Sequence, residues 1–275
     1  MTLSERHMNA NVAARTDKVL SEKSGHLGRL IFNNPEKRNA VSYEMWEATA
    51  AILADFEADP AVRVVVVTGA GGKAFVSGAD ISKFDNERSE LEEVRRYGQM
   101  TEAVYAGLHA FPKPTIAAIR GFCIGGGLGL AVCCDIRLCT AESRFALPAA
   151  RLGLGYGFAP VRRLTEVVGA AFAKEIFFTA RQFSAAEALA IGLVNRVVPD
   201  GELDALVAQY VEQIGANAPL TVRAAKFIMG EVAKDESARD LDEAKRRVEA
   251  CFASEDYREG RRAFMEKRAP RFRGR

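Results

Sequence analysis

Residues 115–128 read Thr115-Ile116-Ala117-Ala118-Ile119-Arg120-Gly121-Phe122-Cys123-Ile124-Gly125-Gly126-Gly127-Leu128. Thr115–Arg120 is a short, mostly apolar run after the stop signal of Pro114, the pattern of a strand buried on both faces. Gly121–Gly129 then opens a helix that keeps Leu128, Leu130, Ala131 and Val132 on its inner side. A similar order occurs upstream. Val62–Thr68 is another apolar strand without alternation, and a Gly/Ser-rich turn, Gly69–Gly78, leads through Ala79-Asp80-Ile81 toward a helical turn. Glycine lets a backbone pass close to a ligand and reach positive φ. A helix start presents unbonded N–H groups and the positive end of the helix dipole. Two such ends aimed at one point would bind a carbonyl oxygen, and bind it better as negative charge develops on it. The plainer reading is that each glycine cluster only permits tight strand–helix packing.

Working outward, Val19–Phe32 reads as a hairpin around Ser24–Gly28, and Asn33-Asn34-Pro35 breaks its second strand. A helix begins near Ser42, with Met45, Thr49, Ile52, Leu53 and Phe56 giving a buried stripe at spacings of three and four, and Asp59-Pro60 ends it. The charged stretch Asp85–Arg96 leads into a helix that runs to about Ala110. Asp135–Cys139 and Phe145-Ala146-Leu147-Pro148 are further strands. From Leu164 onward the pattern is mostly helical, with Pro219 near the start of one helix. The division is therefore a loose extension over residues 1–18, an α/β core over 19–200 and a helical segment over 201–275, without internal repeats of short period.

Composition narrows the chemistry. The chain has 275 residues, 48% hydrophobic and 27% charged, with 38 Lys and Arg against 36 Asp and Glu. That balance calls for neither nucleic acid nor a membrane surface, and apolar runs such as Val64–Val67 are too short to span a bilayer. The first eighteen residues contain no apolar core of a secretory signal. Five cysteines, Cys123, Cys133, Cys134, Cys139 and Cys251, form no C-x-x-C pair and suit a reducing cytoplasm. Only His7, His26 and His109 are present, and His109 reads as a solvated helix end, so a triad or a histidine-rich metal site has little to build on. Val64–Gly72 superficially resembles a dinucleotide-binding turn. It does not form G-x-G-x-x-G, and no strong helical pattern follows it directly.

Several ordered segments resemble the crotonase (enoyl-CoA hydratase/isomerase) family. They are Asn34–Val41, Ser77–Ile81, Pro112–Gly121, Gly125-Gly126-Gly127, Cys134-Asp135-Ile136-Arg137, Phe183–Ala188 with Gly192–Asn195, and Phe264–Arg268 with Pro270. The resemblance covers roughly residues 19–275. It implies a crotonase-like spiral of stacked ββα units with a C-terminal helical trimerisation segment, assembled as a homotrimer or dimer of trimers. It implies an acyl-CoA thioester as partner, with coenzyme A part of the substrate and no separate cofactor. By position, the N–H groups of Ala79 and Gly126 would form the oxyanion hole. Lys37, Arg38 and Ala40 match the stretch that meets the pantetheine and phosphate end, and Gly78, Asp80 and Ile81 match the wall near the adenine, with Gly125 beside the hole. Cationic side chains suit phosphate, although without the resemblance a solvated turn is the favoured reading of Lys37 and Arg38.

The resemblance breaks where a hydratase of this family carries two glutamates that place a water and move its proton. The first position holds Gly129 and the second, after Pro148, holds Ala149. Asp80 reads as a helix cap. Glu87, Glu90, Glu92 and Glu93 read as a solvated face, and Tyr156 as an aromatic wall or a hydrogen-bond donor of the acyl pocket. The expectation is thus a family protein that polarises a thioester, either running isomerase-, lyase- or decarboxylase-type chemistry with other groups or binding acyl-CoA without hydratase turnover.

Overall fold

Strands Val19–Ser24 (β1) and Leu27–Phe32 (β2) pair antiparallel, Val19 opposite Phe32 and Ser24 opposite Leu27, with Gly25 at φ 57° in the turn. The structure, a computed structural model, describes residues 16–80 and 91–275. From β2 the chain enters a 3-10 turn, Pro35–Lys37, and then helix Tyr43–Ala58 (α1). The expected stripe of α1 is buried in full, together with Trp46. Each large apolar side chain so buried contributes about 1.5–3 kcal/mol.

Three successive passes then repeat one order. Val64–Gly69 (β3) is followed by Ala74–Val76 (β4), Thr115–Ile119 (β5) by Phe122–Ile124 (β6), and Ile136–Thr140 (β7) by Arg144–Ala146 (β8). The first strands of each pair lie side by side in a six-stranded sheet, β1-β2-β3-β5-β7-β10, where β10 is Arg196–Val198. The second strands stack in a four-stranded sheet, β4-β6-β8-β9, where β9 is Phe183–Ser184. All pairings from β2 to β10 in the larger sheet are parallel. Helix Leu91–His109 (α2) precedes the second pass, and helix Gly126–Cys133 (α3) closes it. This is the spiral of ββα turns.

The smaller sheet departs from the sequence reading in two places. Gly69–Gly78 is not one turn, because β4 sits inside it, and Gly121–Gly129 contains β6 before its helix starts at Gly126. Strands of three residues are too short to carry a periodic signal, so glycines alone dominated those stretches.

The unalternating runs of β3 and β5 have a direct cause. Val64, Val66, Ile116, Ala118 and Leu138 face one way, against Leu203 and Val207 of helix Leu203–Gly215 (α6). Val65, Val67, Ala117, Ile119 and Cys139 face the other way, into the main core with α1 and the second sheet. Between β8 and α6 lie helix Phe158–Thr179 (α4), broken at Gly169 (φ 75°), and helix Ala185–Ala190 (α5). α4 starts six residues earlier than the apolar pattern from Leu164 suggests. The chain ends in helices Pro219–Val232 (α7), Leu241–Ala253 (α8) and Glu255–Met265 (α9). Among the described residues no helix is long and apolar enough to cross a membrane.

Candidate functional site

The two glycine turns meet at the mouth of the smaller sheet. Gly78 has φ 108° and Gly125 has φ 55°, both in the region that favours glycine. A Cβ at Gly78 would stand 3.8 Å from the Gly126 nitrogen, and one at Gly126 would stand 3.8 Å from Gly78 Cα. At Gly127 a Cβ would run into the Val76 carbonyl, so α3 can seat against β4 only with glycine there.

The orientation of each N–H follows from backbone pairing. A parallel bridge joins Val41 to Ala79: the Val41 N–H donates to the Gly78 carbonyl at 2.9 Å, and the Asp80 N–H donates to the Val41 carbonyl at 3.0 Å. Such a bridge uses the groups flanking Ala79, which turns the N–H of Ala79 itself away from Val41. Gly126 is the first residue of α3, so its N–H is one of the donors that a helix cannot bond internally. The first helical bond here runs from the Gly129 N–H to the Gly125 carbonyl at 3.0 Å.

Behind the turns lies a buried aromatic chain that the sequence reading did not single out. The Tyr97 hydroxyl donates to the Val41 carbonyl at 3.1 Å, and Trp46 Nε1 donates to the Tyr97 oxygen at 2.9 Å. The Trp46 ring meets Tyr105 edge to face at 5.5 Å. The Tyr105 hydroxyl donates to the Gly126 carbonyl at 2.6 Å. Burial pushes the Tyr105 phenol well above its ordinary range, and the acidic groups of Cys133, Tyr156 and Tyr97 add to the effect. It stays neutral. The one signal in the sequence was the eight-residue spacing of Tyr97 and Tyr105, which places both on one face of α2.

The expected binding residues come together only in part. Lys37 Nζ donates to the Asp80 carboxylate at 2.9 Å, Asp80 being buried and Lys37 half-exposed. Arg38, at φ 52°, lays its guanidinium over the Phe122 ring at 5.3 Å from the centroid. Ala40 is buried beside Val41. Asn39, which the sequence reading gave no role, is fully buried. It accepts from the Asn34 N–H at 2.9 Å and donates to the Ala70 and Ala74 carbonyls at 3.0 and 2.7 Å. Tyr156 precedes α4 and meets Phe177 edge to face at 5.3 Å. Glu92 is exposed and Glu93 half-buried in the first turn of α2, whereas Ile81, Glu87 and Glu90 lie outside the described residues.

Gly129 sits in α3, and Ala149 is the buried residue of the 3-10 turn Pro148–Leu152. A Cβ at Gly129 would stand 3.0 Å from the Tyr105 hydroxyl. Glu102, one turn before Tyr105, is committed to the buried Arg163 at 2.5 Å. Burial pushes the Cys133 and Cys139 thiols up to about 12, and Cys123 and Cys134 upward as well, so these groups are packing and not nucleophiles. Among the described residues no group of three or more His, Cys, Asp and Glu is placed to hold a metal.

Known proteins share this architecture. The sequence model of the enoyl-CoA hydratase/isomerase family matches residues 22–275. The chain is 36% identical to the short-chain-enoyl-CoA hydratase of Clostridium acetobutylicum over 252 residues, covering 92% of this chain and 96% of that protein. It is also 36% identical to the crotonyl-CoA hydratase of Syntrophomonas wolfei over 257 residues, covering 93% and 98%. A crystal structure of an enoyl-CoA hydratase/carnithine racemase from Magnetospirillum magneticum superposes with a TM-score of 0.88 at 36% identity, covering 94% and 97%. The chain belongs to the enoyl-CoA hydratase/isomerase family, within the crotonase superfamily.

Proposed function

We propose that this protein is an enzyme that binds an acyl-CoA thioester and stabilises its enolate oxygen with the N–H groups of Ala79 and Gly126. The observation that carries the reading is the meeting of the Gly78 and Gly126 turns, with both N–H groups turned out of the backbone pairing. Oriented N–H groups gain most when charge develops on the oxygen, which fits enolate chemistry. The relatives named for acyl-CoA substrates support the substrate class. Coenzyme A enters as part of the substrate and no separate cofactor is required. In this reading Lys37, Arg38 and Ala40 serve the pantetheine and phosphate end of coenzyme A, Gly78, Asp80 and Ile81 the wall near the adenine, and Gly125 and Tyr156 the thioester and acyl end.

Gly129 and Ala149 set the kind of reaction. With neither carboxylate present, plain hydration lacks its acid and its base, and the reaction is an isomerisation, lyase or decarboxylation step run by other groups. The second reading, acyl-CoA binding without turnover, is favoured by the same two residues. Crotonyl-CoA separates these from a plain hydratase. Calorimetry is expected to detect binding while the enone absorbance stays unchanged. Absence of any CoA-ester binding would overturn the proposal, and rapid loss of the enone band would restore the hydratase reading.

For assembly, we infer a homotrimer or dimer of trimers formed through the C-terminal helices. Met229, Val232, Phe252, Phe264 and Met265 are all exposed there in the single chain. Sedimentation equilibrium at the mass of a monomer would remove this reading.

A further inference from the structure

Among the described residues Tyr105 is the one buried hydroxyl that reaches the Gly126 turn, and it stands where a side chain at position 129 would have to begin. Its oxygen donates to the Gly126 carbonyl at 2.6 Å, lies 3.2 Å from where a Gly126 Cβ would be and 3.0 Å from where a Gly129 Cβ would be. The ring has little room to move. It is about 6% exposed, packs edge-on against Trp46, and belongs to a helix held by α1. Through Trp46 and Tyr97 the same cluster reaches the Val41 carbonyl, which accepts the Asp80 N–H. One aromatic chain therefore braces both turns: Tyr97 on the Ala79 side and Tyr105 on the Gly126 side.

We propose that Tyr105 is a positioning residue of the oxyanion hole, fixing Gly126 through its carbonyl, and that glycine at position 129 exists to leave the phenol its place. The proposal rests on the thioester reading above. A carboxylate on α3 and a phenol bonded to Gly126 compete for the same volume, and this chain has taken the phenol. The hole is then oriented by an uncharged donor whose proton is already committed to a backbone carbonyl. Bond strength at Gly126 becomes a matter of alignment, since a donor misaimed by a few tenths of an ångström loses most in the state that carries the charge.

The test uses acetoacetyl-CoA, a thioester whose enolate has its own near-ultraviolet band. Its acidic α-proton is lost to solvent, so the measurement asks nothing of an acid or base in the site. Wild type is expected to bind it and raise the enolate band. Tyr105→Phe keeps the ring and removes the hydroxyl. It is expected to lower the bound enolate fraction about fivefold, the worth of one ordinary hydrogen bond, with affinity for free coenzyme A unchanged. Gly129→Ala, which crowds the phenol without touching it chemically, is expected to lower the same band while the circular dichroism spectrum is retained. If wild type binds no acetoacetyl-CoA, the thioester reading itself falls. If wild type raises the band and both variants match it, the role given to Tyr105 falls alone. A loss of coenzyme A affinity equal to the loss of the band in both variants would mark a merely structural residue and also overturn it.

Discussion

The Lys37 ammonium and the buried Asp80 carboxylate lie 2.9 Å apart, and the bond joins the 3-10 turn after β2 to the residue following Ala79. Sequence position suggests phosphate for Lys37, yet its charge is already engaged at the base of the proposed oxyanion hole. Replacing Asp80 by Asn separates the two roles. If holding the turn is what matters, Asp80→Asn weakens enolate formation from acetoacetyl-CoA several-fold and leaves coenzyme A affinity nearly unchanged. Tighter coenzyme A binding with an intact enolate band would show that Asp80 only restrains a phosphate-binding lysine.

Gly126→Pro removes one proposed donor. Proline is tolerated at the first position of a helix, so α3 can persist while its N–H disappears. Turnover of the substrate, once found, is expected to fall about 10²–10³-fold, the usual effect of losing an oxyanion-hole donor. Circular dichroism and the melting temperature check that the fold survives. A folded variant with wild-type turnover would remove Gly126 from the hole.

Placing a carboxylate on α3 by Gly129→Glu alone is not expected to create crotonyl-CoA hydration. The new Cβ would meet the Tyr105 oxygen at 3.0 Å, and overpacking of this kind typically costs about 1–3 kcal/mol. The melting temperature should drop, and adding Tyr105→Ala should recover part of it. A stable single variant would mean that Tyr105 moves freely, contrary to its packing.

Lys113 is buried, and its ammonium donates to the Phe56 and Asp59 carbonyls at the end of α1, at 2.5 and 2.7 Å. Lys113→Met keeps much of the volume and leaves those carbonyls without their donor. The expected destabilisation is about 1–3 kcal/mol, read from the urea midpoint. An unchanged midpoint would mean that water replaces the ammonium.

Glu187 and Ser184 form a capping box at α5: the Glu187 N–H donates to Ser184 Oγ, and the Ser184 N–H donates back to the Glu187 carboxylate at 2.8 Å. The Ser184 N–H and hydroxyl, and then the Arg181 guanidinium, hold the Glu187 carboxyl down to about 2 from 4.5. A carboxyl whose folded pKa is depressed stabilises the fold above its unfolded value, and that contribution is lost as pH falls from 4.5 toward 2. Glu187→Gln should flatten this part of the stability–pH curve. Ser184→Ala should cost about 1 kcal/mol at neutral pH, measured by urea unfolding. Identical curves for wild type and Glu187→Gln would contradict the assignment.

Elements whose periodicity extends over several turns or a full strand were legible from the chain. The stripe of α1 and the double-sided burial of β3 and β5 follow from side-chain spacing, and the hairpin β1–β2 from β-prone segments around the Ser24–Gly28 turn. β4 and β6 were not legible, because three residues hold no period and the flanking glycines read as turn. The glycine turns around Gly78 and Gly126 were legible because positions of positive φ and helix starts favour glycine; the roles given to Ala79 and Gly126 came from the resemblance alone. Asn39, Trp46 and Tyr97 were missed. Their hydrogen bonds reach between elements distant in sequence, and no local pattern encodes such a partner.

The amino-acid sequence by itself determined the family, the alternation of strands and helices, the two glycine turns, and glycine and alanine at positions 129 and 149. These are local or positional properties, set by residue type and order along the chain. Tertiary structure alone decided that the two turns face each other across Gly78 and Gly126, that Lys37 is held by Asp80, and that Tyr105 fills the space beside Gly129. Each of those joins residues brought together only when the second sheet stacks and α2 packs on α1, and such contacts depend on volume and direction in space.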